Sequence, residues 1–147
     1  MANYLGYTKE SSQAIDALLG YRNQWVIDRY VSEYRVDVAY ADRVSHSFNQ
    51  FMATCVLTGG PKTTSPMIDG MWHVFLLNTR QYSEYCERYL RGFVHHEPSD
   101  QGADPALYVR TREFALNLFS SLDSECCPVT GKADCSSGCG TIDRRFE

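Results

Sequence analysis

Apolar side chains in this chain recur every three or four residues and almost nowhere alternate. Ile27, Tyr30, Val31, Tyr34 and Val38 fall at i, i+3, i+4, i+7 and i+11. Val44, Phe48, Phe51 and Cys55 form a second such stripe, and Met71, Trp72, Phe75 and Leu76 a third. A period near 3.6 gathers each set on one face of a helix. Strand-like character is confined to Phe93–His96. The pattern therefore predicts an all-α fold: a single compact bundle of about five helices with one short extended segment.

Local punctuation divides the bundle. Ser65-Pro66 and Asp104-Pro105 each pair an N-cap side chain with a proline at the first helical position, where the missing N–H costs nothing. Ser11 or Ser12 can start the first helix, and Gly20 either ends it or sits inside it. Asn23, Asp37 and Thr79 can cap later helices, and Gly92 can close one. Gly59 and Gly60 lie in a loop that lets the next helix fold back. With no G-K-[ST] run and no preceding strand, that loop is not a phosphate cradle. The last helix directs Leu107, Phe114, Leu118 and Leu122 inward, with Arg110, Arg112 and Glu113 outward. Composition shifts after Leu122, so residues 1–122 read as a helical domain and 123–147 as a cysteine-rich tail, flexible or ordered by metal.

With 147 residues, 44% hydrophobic and 22% charged, the chain has the make-up of one globular domain. The net charge is −4 and the basic residues are scattered, so no nucleic-acid partner is expected. No apolar run approaches the about 20 residues of a membrane span. The first residues lack the features of a secretory leader and of a myristoylation site. The expected location is cytoplasmic, without a membrane partner, and cysteines there serve more often as thiols or metal ligands than as disulfides. The ten tyrosines and seven phenylalanines are read as packing between helices, with an aromatic-lined pocket as the alternative.

Chemistry concentrates between Ser65 and Pro98, which holds three of the four histidines. Asp69 lies four residues before His73, on the same helical face. An aspartate there can accept the imidazole N–H and fix the tautomer, as partners of metal-bound histidines do. In an extended run His95 and His96 point to opposite sides, so one of them would face His73. A metal site built from His73, Cys86 and His96 or His95 follows, with Asp69, Tyr82 and Trp72 around it. Imidazole and thiolate suit a divalent transition metal, zinc ahead of copper or iron. The alternative is a buried polar network in which Cys86 packs as a small hydrophobe. His46 falls off its helix's apolar stripe and reads as a solvated surface residue.

The pattern Asp69-x-x-Trp72-His73, Leu76-x-x-Thr79-x-x-Tyr82-x-x-x-Cys86 and Gly92-x-x-x-His96-x-Pro98 resembles the glycine-rich domain-containing protein-like family across residues 40–98. The resemblance implies that the Asp, Trp-His, Tyr, Cys and His-His positions belong to one motif. It brings no reaction with it. The chain departs from the long plant members in being short and in carrying a cysteine-rich tail.

That tail places Cys126, Cys127, Cys135 and Cys139 within fourteen positions. They could form a second metal site, undergo thiol redox chemistry, or stay reduced. Three functions remain open. A metal-binding helical domain could activate a water on a small-molecule substrate, with Glu97 or Asp69 as base. A non-catalytic interaction or scaffold module would use the same residues as a structural network and bind a protein. A nucleophilic Cys86 would need an imidazole in hydrogen-bond reach.

Overall fold

A computed structural model describes residues 8–97, 104–129 and 139–143. Among them, six α-helices run Lys9–Leu19 (α1), Gln24–Tyr34 (α2), Val38–Thr58 (α3), Pro66–Leu76 (α4), Thr79–Tyr85 (α5) and Pro105–Phe119 (α6). A π-helical turn, Cys86–Leu90, continues α5. Two strands, Phe93–Glu97 (β1) and Cys139–Asp143 (β2), pair antiparallel, with His96 opposite Gly140 and Glu97 opposite Cys139. The fold is a compact helical one, as the periodicity predicts.

Most caps fall where side-chain chemistry puts them. Asn23, Asp37, Ser65 and Asp104 each accept a backbone N–H of the first turn they open. Three boundaries differ. α1 begins at Lys9 because Thr8, ahead of both serines, accepts the Ser11 N–H. Asn78, rather than Thr79, caps α5 by accepting the Gln81 N–H. The left-handed residue that ends the π turn is Arg91 at φ 50°, one position before Gly92.

α3 is the central element, packed against α1, α2, α4, α6 and the π turn. Gly59 and Gly60, at φ 59° and 75°, reverse the chain at its end and return it as α4. The loop that follows is not a solvated linker. Lys62, Thr63, Thr64 and Ser65 are all buried. The Lys62 ammonium donates to the Gly59 and Gly60 carbonyls and lies 5.1 Å from the Phe114 ring centroid.

Most of the aromatic residues among those described are packing, as expected. Trp72, Phe48, Phe75, Tyr82 and Tyr85 are fully buried; Tyr85 stacks near-parallel on Phe48 and Tyr82, while Phe51 meets Trp72 edge-on at 5.4 Å and Phe75 meets Tyr82 edge-on at 5.3 Å. Two predicted stripes are displaced. Tyr34, at the end of α2, is 42% exposed. α6 buries Tyr108, Thr111 and Ala115, while Phe114 faces outward at 42% exposure. The Thr111 hydroxyl on that face both donates to Leu107 O and accepts the Thr63 N–H.

The first part of the cysteine-rich tail lies on the helices. Arg43 pairs with Asp123, Ser65 Oγ donates to Cys126 O, Arg112 to Cys127 O and Tyr108 to Pro128 O. No helix among the described residues is long and apolar enough to cross a membrane.

Candidate metal centre

Helix α4 positions the first two groups. Ser65 and Pro66 set its start, and the i to i+4 step then lays Asp69 and His73 along one face. Asp69 Oδ2 and His73 Nε2 are 3.5 Å apart. The third group arrives from β1, whose alternation sends Val94 and His96 to one side and Phe93 and His95 to the other. Val94 is buried against the helices, and His96 Nε2 reaches Asp69 Oδ1 at 2.8 Å. The His73 and His96 rings lie 4.6 Å apart. One ligand atom from each of Asp69, His73 and His96 falls within 4.8 Å of the others, a set that could hold a metal ion.

The cluster sits on a boundary between core and solvent. The side chains of His96 and Asp69 are 6% and 9% exposed, and that of His73 is 45% exposed. One wall is core. Trp72 packs its ring 4.3 Å from that of His96 and donates its indole N–H to the Tyr82 hydroxyl at 3.0 Å. Tyr82 in turn donates to Val94 O, two residues before His96. Burial pushes the Tyr82 phenol far above its usual range, so it acts as a fixed hydrogen-bonding group. This chain of contacts from α4 through α5 to β1 fixes where the His96 imidazole points.

The sequence-derived set is altered in three ways. Cys86 does not join the group. Its thiol is buried beside the Tyr82 hydroxyl and the Val94 backbone, and burial raises its pKa. That environment weighs against a nucleophilic role, because burial disfavours the thiolate and its hydrogen-bond partners are Tyr82 and the Val94 backbone. His95 is turned away by strand alternation and packs its ring 4.8 Å from Phe93. Asp69, read as an outer partner of His73, instead stands between both imidazoles as a candidate ligand.

Of the tail cysteines, Cys126 is fully buried beside Ser47 and Asp123, and Cys127 is half-buried. Burial raises the Cys126 thiol to about 12 and the Cys127 thiol to about 11. Cys135 lies outside the described residues, and Cys139 enters as the backbone position opposite Glu97. His46, exposed on α3, has Nδ1 3.3 Å from Leu19 O, consistent with a surface residue.

One neighbour went unread in the sequence. Tyr34 comes from α2 and stacks on Tyr30 with centroids 4.5 Å apart. Its hydroxyl lies over Gly70, where a Cβ would fall 2.7 Å from the oxygen. Burial raises the Tyr34 pKa, and the charges of Glu33 and Asp69 raise it further. The only local signal is a glycine inside a helix next to a buried aspartate, which marks a close approach without naming what approaches.

Fold and site together define a small helical domain in which, among the described residues, one carboxylate–imidazole cluster at the junction of α4 and β1 could hold a metal ion. Residues 15–106 match the family model described as UCP032817-like, and the chain belongs to that family. This corrects the resemblance to the glycine-rich domain-containing protein-like family. The matched span contains Asp69, His73 and His96 and stops short of Cys126, Cys127, Cys135 and Cys139. No curated protein and no solved structure matches the chain.

Proposed function

We propose that the domain binds one divalent transition metal through an Asp69 carboxylate oxygen and Nε2 of His73 and His96. The observation that carries this reading is the convergence of the three ligand atoms within 4.8 Å. Tetrahedral zinc, with bonds of about 2.0–2.2 Å, needs its donors roughly 3.4 Å apart. Asp69 meets His96 through Oδ1 at 2.8 Å and His73 through Oδ2 at 3.5 Å, and with all three ligand atoms within 4.8 Å, rotation of the carboxylate and the exposed His73 would bring one oxygen and both imidazoles toward that spacing.

With Cys86 elsewhere, the thiolate argument for zinc falls away. Two imidazoles and one carboxylate serve both zinc hydrolases and mononuclear iron enzymes. Zinc remains the expected ion because it stands above iron(II) in the general affinity order. Three protein ligands leave a position for water on the exposed side, beside His73. Metal-assisted hydrolysis of a small substrate is the reaction class this supports.

The test is the metal content of the purified full-length chain. About one equivalent is expected, falling toward zero in His73→Ala and in His96→Ala. Wild-type protein that holds no metal and takes up none on dialysis against zinc overturns the reading.

A structural reading has its own support in the 2.8 Å contact between His96 and Asp69, which ties β1 to α4 without any ion. It predicts no metal, a marked loss of stability in His96→Ala and almost none in the exposed His73→Ala.

A further inference from the structure

We infer that Tyr34 is a fourth member of the centre: its phenol donates a hydrogen bond to whatever oxygen ligand occupies the metal's open position. The inference rests on the metal reading above. It makes the preferred occupant an oxygen-donor anion, such as a carboxylate or hydroxamate.

Three observations carry it. The first is the approach over Gly70. With any side chain at that position, Cβ would lie 2.7 Å from the Tyr34 oxygen and 2.8 Å from Cζ. Glycine at the residue following Asp69 is therefore what lets the phenol come down beside the cluster. The second is the hold on the ring. Tyr34 stacks on Tyr30, and the Tyr30 hydroxyl donates to Met67 O in the first turn of α4. The pair thus fixes the end of α2 to the helix that carries Asp69 and His73. The third is placement relative to solvent. Trp72 closes the buried side of the cluster, whereas Tyr34, whose hydroxyl lies over the residue next to Asp69, is 42% exposed. A phenol near neutral pH keeps its proton and can donate it to an anion in a hydrogen bond.

The experiment uses full-length protein loaded with cobalt(II), whose visible spectrum reports ligands entering the open position, and acetohydroxamate as the probe. Tyr34→Phe keeps the ring and removes only the hydroxyl. Cobalt affinity should stay within about twofold, while hydroxamate affinity falls about tenfold, the usual worth of one hydrogen bond to a charged group. Gly70→Ala should produce a similar loss by pushing the phenol away, with every other group in place. Equal hydroxamate affinity in wild type and Tyr34→Phe overturns this inference and leaves the metal reading standing. Cobalt uptake with no spectral response to hydroxamate overturns it as well. Wild-type protein that takes up no cobalt overturns both.

Discussion

At the scale of single residues, burial sorts the cysteines from the histidines. Cys55 and Cys86 lie in the apolar core, where a thiolate is disfavoured, and burial pushes Cys55 up to about 12. Cys86 lies beside the cluster without joining it, so Cys86→Ala is expected to leave metal content unchanged. Elemental analysis of that variant checks this. Native protein should react with a thiol reagent at neither Cys55 nor Cys86 until it is unfolded. The same raised values carry a pH dependence. In the unfolded chain these thiols ionise near their usual value of about 8.5. In the folded chain Cys55 and Cys126 hold their protons up to about 12. Protonated thiol is thus favoured by folding, and its contribution is fully present below the unfolded value. It is lost as pH rises from there through about 12. Denaturant midpoints measured across that window should fall steadily. Replacing both residues with alanine should flatten the slope.

At the scale of elements, the decisive connection is α5 to β1. Tyr82 receives the Trp72 indole N–H and donates to Val94 O, so one hydroxyl serves both the helix and the strand that build the cluster. Tyr82→Phe strands a buried donor and a buried acceptor and is expected to cost about 2–3 kcal/mol. Urea denaturation measures that cost. If β1 depends on this bond, backbone amides of Val94 and His96 should exchange with solvent faster in the variant, and metal should be held less tightly.

Much of this architecture is legible in the chain. Ser65-Pro66 and Asp104-Pro105 mark two helix starts, and Asn23 and Asp37 two more, because a cap is a contact between near neighbours. The face of α6 was not legible. Phe114 is more hydrophobic than Thr111, yet Thr111 is buried. The contact with α3 and with the Thr63 N–H rewards a small side chain that can hydrogen-bond.

At the scale of the whole molecule, the segment from Asp123 to Pro128 acts as a strap. It ties α3, α6 and the start of α4 together through Arg43, Arg112, Tyr108 and Ser65. Ser65 has two duties, accepting the Ile68 N–H as the α4 cap and donating to Cys126 O. Ser65→Ala should therefore cost about 1–3 kcal/mol, more than a typical exposed cap. The exposed Arg43–Asp123 pair, screened by solvent, should contribute little in a double-mutant cycle. A chain ended at Leu122 should fold but melt at lower temperature, since it uncovers the site where Cys126 is buried. Calorimetry of the two lengths checks this.

By itself the sequence determined the helical class, most helix starts, and the pairing of Asp69 with His73. Each of these depends on residues within about one turn of one another, where period and capping chemistry act directly. Tertiary structure decided which of His95 and His96 turns inward, that Cys86 stays out, and that Tyr34 comes to stand over Gly70. Those outcomes depend on how β1 and α2 dock against α4, and docking is governed by the shape of the packed core rather than by any local run of residues.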